Sequence, residues 1–146
     1  MATLTEFLRK QKAADNPERR IQRQKVWLVA LDKLFQKIRS WLAEAEREKL
    51  IKVRIEKVSH TEESLGTFEV PRLILTVDHK TIILKPIGAT IIGADGRVDM
   101  VSSKGAYLFL YFADQNKWVH GTGTRPSEFH ELTEEVFTDL LKRALA

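Results

Sequence analysis

Three glycines lie close together in the middle of this sequence, and a glycine-rich loop is one device by which proteins bind phosphate. They are Gly88, Gly93 and Gly96. A phosphate loop presents backbone N–H groups at the start of a helix, but no Gly-Lys-Ser/Thr follows here and no helix is predicted to begin. We therefore interpret these glycines as turn and bulge positions of a β-rich segment.

The sequence also has no recognisable set of residues for metal-dependent or nucleophilic catalysis. His60, His79, His120 and His130 include no pair at the three- or four-residue spacing of a helical metal site. The carboxylate-x-lysine letters of a nuclease occur at 78–80, but on a predicted turn. The chain has no cysteine. We predict no catalytic residue, no metal site and no cofactor, and we disfavour an enzyme; a site assembled from distant residues remains an alternative.

Arg97 and Asp99 form the most specific polar pattern. Their alternate positions put both side chains on one face of a predicted strand, and Lys85 is expected beside them. An exposed ion pair between Arg97 and Asp99 explains the pattern without a function. The alternative is a polar recognition spot formed by Lys85, Arg97 and Asp99.

Basic residues crowd the first part of the chain, and acidic residues crowd its end. The net charge is +4 and the sequence pI is about 9.4. This balance permits an anionic partner without requiring one. Arg19, Arg20 and Arg23 are the candidate anion contacts, and nucleic acid is the anion that we expect there. The competing interpretation is two solvated helical surfaces of opposite charge.

Two helices are predicted before residue 50. Thr3 and Glu6 have the spacing of a capping box, and Asn16-Pro17 starts a long helix that runs to about Glu48. Its apolar stripe is spaced alternately by four and three residues. The stripe is a candidate interaction face and is equally typical of a face packed on a sheet; it consists of Trp27, Leu31, Leu34, Ile38 and Trp41.

Around Leu50 the apolar residues change to the alternation of β-strands. Asp95-Gly96 predicts a tight hairpin that joins residues 90–92 to residues 98–100. Residues 106–112 are apolar on both faces, which is typical of a strand covered on both sides. We expect the long helix over one face. The C-terminal helix, a curled part of the sheet or a partner chain would cover the other. Thr133 is expected to cap the last helix.

The predicted fold is α+β: a long N-terminal helix, about seven mostly antiparallel strands and a C-terminal helix. The strands form a curved sheet or a partly closed barrel, and this element order resembles the pleckstrin-homology-like superfold. We predict a single domain over 1–146, with a helical segment at 1–49, a β-rich core at 50–121 and the last helix within 127–146.

These features favour a non-enzymatic protein-interaction or assembly module, whose partner is a second copy, as a homodimer, or another protein. The alternative is a protein that binds nucleic acid or another anion through its basic N-terminal segment; an enzyme ranks third. No signal peptide is recognised and no apolar run reaches transmembrane length, so we expect a cytoplasmic protein. The sequence does not identify a small-molecule ligand.

Overall fold

The computed structural model describes residues 3–14, 17–89, 91, 93–121 and 126–146. The predicted N-cap Asn16 and two residues of the predicted hairpin, Thr90 and Ile92, lie outside these ranges. A short 3-10 turn, Pro126–Glu128, precedes the last strand. The helices and strands in chain order are α1 (Leu4–Ala14), α2 (Pro17–Arg47), β1 (Lys52–Glu62), β2 (Gly66–Val77), β3 (Lys80–Gly88), β4 (Gly96–Ser102), β5 (Gly105–Phe112), β6 (Lys117–Gly121), β7 (Phe129–Glu131) and α3 (Glu134–Leu145).

The strands of the described residues form one antiparallel sheet in which each strand pairs with the next along the chain, in the order β1 to β7. This arrangement confirms the α+β prediction with a long first helix, an antiparallel sheet and a last helix. The partly closed barrel is wrong, because β1 and β7 stay at opposite edges. β7 has only 3 residues, too few to pair along the 11 residues of β1.

Both long helices cover the same face of the sheet. The buried stripe of α2, the buried face of α3 and alternate residues of the central strands form one apolar cluster. Strand alternation selects the sheet's contribution, since every second side chain points to the same face. This contribution includes Leu73, Leu75, Ile82, Leu84, Val98, Met100 and Phe109.

Local signals place the helix ends as predicted. The backbone N–H of Glu6 donates to Thr3 Oγ1 at 3.1 Å, and the Thr3 N–H donates to Glu6 Oε2 at 3.4 Å, which is a capping box. The Val136 N–H donates to Thr133 Oγ1 at 3.2 Å, so Thr133 caps α3.

The predicted hairpin at Asp95-Gly96 is wrong. β3 ends at Gly88, opposite Arg97 of β4, so the connection lies before Gly96. Gly96 is already the first residue of β4 and lies opposite Tyr111. In the described part of the connection between β3 and β4, Gly93 has a positive φ of 85°.

Asp95 is held by β5 instead of forming a two-residue turn. Its N–H donates to the Tyr111 carbonyl at 2.8 Å, and its carboxylate accepts the N–H of Ala113 at 2.7 Å. These bonds extend the β4–β5 pairing by one residue.

The hairpin of β1 and β2 has strands of 11 and 12 residues, and its tip contacts the start of α2. Gln24 Nε2 donates to the Leu65 carbonyl at 2.6 Å, and the Arg23 guanidinium donates to the Ser64 carbonyl at 3.1 Å. On the other side, Glu62 Oε1 accepts the N–H of Ala89 at 2.7 Å. The tip therefore joins α2 to the end of β3, and the sheet is curved.

Gly96 is needed for space. A Cβ at this position would overlap the six-membered ring of Trp27, which is 2% exposed. We expect Gly96→Ala to lower the free energy of unfolding by about 1–3 kcal/mol, as overpacked cores do. Denaturant unfolding followed by circular dichroism measures this loss.

Val101→Ala is the matched control on the same strand, because Val101 is 36% exposed and its truncation should cost far less. Combining Gly96→Ala with Trp27→Phe removes part of the ring that the new methyl group meets. The double variant should then lose less stability than the sum of the two single losses. Strictly additive losses would show that the ring contact is not the cause.

Candidate functional site

The apolar stripe of α2, which the sequence offers as a candidate interaction face, is buried in the hydrophobic core. Four of its members are at most 2% exposed: Trp27, Leu31, Leu34 and Ile38. The ring of Trp41 is half-buried, with its centroid 5.6 Å from that of Phe137 in α3. The stripe is the helical side of the core, so a partner does not reach it in this fold.

Arg97 and Asp99 form a two-pronged ion pair. Arg97 Nε lies 2.9 Å from Asp99 Oδ1, and Arg97 Nη2 lies 3.1 Å from Asp99 Oδ2. The hydrogen bond to this carboxylate raises the pKa of the Arg97 guanidinium, while partial burial acts in the opposite direction. Lys85 lies opposite Asp99 in the β3–β4 register, but it forms no ion pair within the described ranges.

This ion pair lies on the sheet face that α2 and α3 do not cover. Arg97 is opposite Leu110, and Asp99 is opposite Leu108 on β5. Leu110 and its neighbour Val119 are each 8% exposed although neither belongs to the helix-covered cluster. Part of the second face is therefore buried at residues that do not belong to the helix-covered cluster.

A different surface has the geometry of a binding site. Three adjoining cavities of about 200, 250 and 490 Å³ follow one side of α2, and Tyr111 lines all three. We call this surface the α2 groove. From Arg23 to Lys37 it extends along α2 for roughly 21 Å at the helical rise per residue. The residues that line it include Arg23, Lys25, Val26, Val29, Ala30, Lys33, Lys37, Asp95, Tyr111, Asn116, Lys117, Trp118 and Glu131.

Positive charge dominates the groove. Among the described residues that line it, Arg23, Lys25, Lys33, Lys37 and Lys117 are cationic, whereas Asp95 and Glu131 are anionic. The Asp95 carboxylate already accepts a backbone N–H. The surplus of cations gives the groove a positive potential.

The largest of the three groove cavities, of about 490 Å³, has three lysines at its rim. Lys33 and Lys37 are one turn apart on α2, and Lys117 begins β6. None of the three forms an ion pair or a side-chain hydrogen bond within the described part of the chain. Like charges four residues apart on a helix repel, at a cost of roughly 0.2–0.5 kcal/mol. An anion in this cavity would remove that repulsion.

Aromatic rings form the floor of the same cavity. Tyr111 and Trp118 are cross-strand neighbours with ring centroids 5.1 Å apart and an interplanar angle of 35°. Both are half-buried, so part of each ring faces the groove. Behind them the ring of Trp27 lies 6.0 Å from that of Trp118, and Trp27 Nε1 is buried without a hydrogen-bond partner among the described residues.

The arginines proposed as anion contacts lie at the start of α2. Arg23 lines the end of the groove, but its guanidinium also holds the tip of the β1–β2 hairpin through Ser64. Arg19 and Arg20 lie one turn earlier and interact with other residues of the chain. The structure thus brings one of the three arginines to the groove.

A further cavity, of about 1050 Å³, lies between α3 and the last strands. His120 and His130 are paired across β6 and β7 and contribute to its lining, together with acidic residues of α3. Within the described ranges, no group of three or more histidine, aspartate or glutamate residues could hold a metal ion.

Comparison of the chain with protein-family models, with curated proteins and with solved structures finds no match in any of the three. No helix in the described ranges is long and apolar enough to cross a membrane.

The coupling energy between Arg97 and Asp99 measures how strongly solvent screens charges on the sheet face that the helices leave uncovered. Asp99 is 13% exposed at its side chain and Arg97 is 38% exposed. A double-mutant cycle with Arg97→Met and Asp99→Asn, measured by denaturant unfolding, should give a coupling energy of about 1 kcal/mol.

The control pair is Arg143–Asp139 on α3, whose side chains are 64% and 60% exposed. Its coupling should be only about 0.3 kcal/mol. Equal couplings for the two pairs would mean that the sheet face is as well hydrated as an open helix surface.

Proposed function

We propose that this chain is a non-enzymatic binding module that holds an anionic partner in the α2 groove. One observation carries the proposal: three lysines that form no ion pair with any described residue surround an aromatic floor in a cavity of about 490 Å³. Cavities of this size are typical of ligand sites, and such sites combine an apolar lining with a few polar groups.

Rigid elements hold the charges of this site. Lys33 and Lys37 project from the middle of a 31-residue helix, and Lys117 lies on a strand, where it pairs with Phe112 of β5. A partner therefore meets cations whose backbone is already fixed, so little conformational entropy of the main chain is lost on binding. Long-range attraction should also speed the association, and this acceleration should weaken with salt.

Neutralising the three rim lysines tests the site. We expect the combined variant Lys33→Gln, Lys37→Gln and Lys117→Gln to bind a fluorescently labelled heparin hexasaccharide at least about tenfold more weakly, since each lost contact costs roughly 0.5 kcal/mol. Fluorescence anisotropy measures the dissociation constant, and the dependence on salt concentration should become shallower.

The control removes the same charge elsewhere, through Lys52→Gln, Lys57→Gln and Lys104→Gln. These lysines are exposed and do not line the groove. Heparin binding should stay within about twofold of the original, a difference near 0.4 kcal/mol. If both triple variants lose the same affinity, binding depends on net charge and the proposed site is rejected.

A second candidate function, self-assembly, is favoured by α1. Leu4, Phe7 and Leu8 share one face of this helix and are 73%, 54% and 54% exposed. A helix of 11 residues is marginally stable in water unless its apolar face is covered. We propose that a second copy of the chain covers it, pairing α1 with α1 in a homodimer.

Replacing these three residues by glutamine should leave the protein monomeric at concentrations where the original chain dimerises, as measured by light scattering. Arg9, Lys10 and Lys12 make α1 cationic, so two copies repel and added salt should strengthen the dimer. Salt has the opposite effect on anion binding in the groove.

The control changes three exposed apolar residues outside α1 to glutamine: Ile21, Leu50 and Ile55, which are 50%, 63% and 47% exposed. The dimer should persist in this variant. A chain that is monomeric at every concentration and salt level would reject assembly through α1.

A further inference from the structure

We infer that the anion in the α2 groove is a short segment of single-stranded nucleic acid, with phosphates on the lysines and a base on the aromatic floor. This inference rests on the proposed binding function. It adds a prediction that charge alone does not make: the groove should distinguish an oligonucleotide from a polyanion of equal charge that has no bases.

The pairing of a cationic rim with an aromatic floor supports this ligand class. Proteins that bind single strands without sequence preference combine a positive groove along the backbone with aromatic rings on which bases stack. Here α2 contributes Lys33 and Lys37 to the rim, and the sheet contributes Tyr111 and Trp118 to the floor. The sheet adds Lys117 to the rim, so the full set of three lysines above the rings forms only where α2 packs on the sheet.

The other polar groups of the cavity suit the bases of an oligonucleotide better than they suit a polyanion that has no bases. Glu131 lies at the edge of the cavity, where its carboxylate would repel a polyanion but accept a hydrogen bond from the amino group of a base. Asn116 also lines the cavity, and its Oδ1 lies 3.3 Å from the Tyr111 hydroxyl. Its amide N–H₂ is then left to donate to an acceptor on a base edge.

The position of the rings also favours a single strand over a duplex. In a duplex the bases are stacked on one another and do not present their faces to a side chain, whereas single strands can splay bases onto aromatic rings. Tyr111 and Trp118 lie on the sheet beneath the lysines of the helix, inside a cavity and not on a projecting surface. Stacking on these rings requires an unpaired base that swings out of the stack formed by its neighbouring bases.

The test compares three labelled ligands on the unmodified full chain by fluorescence anisotropy. They are a mixed-sequence oligodeoxynucleotide of about 12 nucleotides, an abasic phosphodiester of the same length, and the same sequence as a duplex. We expect the single strand to bind at least about tenfold tighter than the abasic backbone, because stacking adds to the phosphate contacts. The duplex should bind no better than the abasic backbone.

Two variants locate the effect. Within the Tyr111→Leu variant the single strand and the abasic backbone should bind with similar affinity, while Tyr111→Phe should keep the preference for the single strand. Circular dichroism checks that both variants are folded. The comparison of ligands on the original chain gives a result even where Tyr111→Leu does not fold.

Each other outcome rejects a defined part of the argument. Equal binding of the oligonucleotide and the abasic backbone, with heparin binding retained, overturns the nucleic-acid inference and leaves the anion-binding proposal standing. Preferential binding of the duplex also overturns the inference. Loss of all binding, including binding of the heparin hexasaccharide, rejects both together.

Discussion

The contact between Trp27 and Gly96 sets how closely the long helix lies on the sheet. The indole is almost fully buried, and its six-membered ring occupies the space that any side chain at position 96 would need. Trp27 also lies against Trp118 on β6. The same residue therefore fixes α2 over the start of β4 and beside the aromatic floor. The α2 groove is the gap left on one side of this contact.

Sequence reasoning works where the cause of a structure is local. The capping box of Thr3 and Glu6, the apolar stripe of α2 and the cap at Thr133 each depend on residues within a short stretch of helix, and each is predicted. Asp95-Gly96 shows the limit. The dipeptide is a strong turn signal, but Gly96 is glycine because Trp27, far away in the sequence, approaches it. Likewise β7 has only 3 residues, too few to show a strand period.

The candidate site is harder to predict than the fold because its parts come from four elements. Lys33 and Lys37 give the one local signal, a like-charge pair on a helix, and such pairs are common on solvated surfaces. Tyr111 and Trp118 become neighbours through the β5–β6 register. These rings and the lysines of α2 form one site only because of the distance at which α2 packs on the sheet. No local sequence pattern predicts that distance.

The arginines at the start of α2 and the lysines in its middle differ in what they contact, and beyond both groups Arg39 pairs with Glu46. Toward its start, Arg19, Arg20 and Arg23 interact with other residues of the chain, and Arg23 holds the hairpin tip in place. Farther along, Lys33 and Lys37 have no such role, although the repulsion between them opposes the free fold. We propose that these exposed lysines, held above two half-buried rings, meet a ligand that supplies both the counter-charge and a group that stacks on the rings.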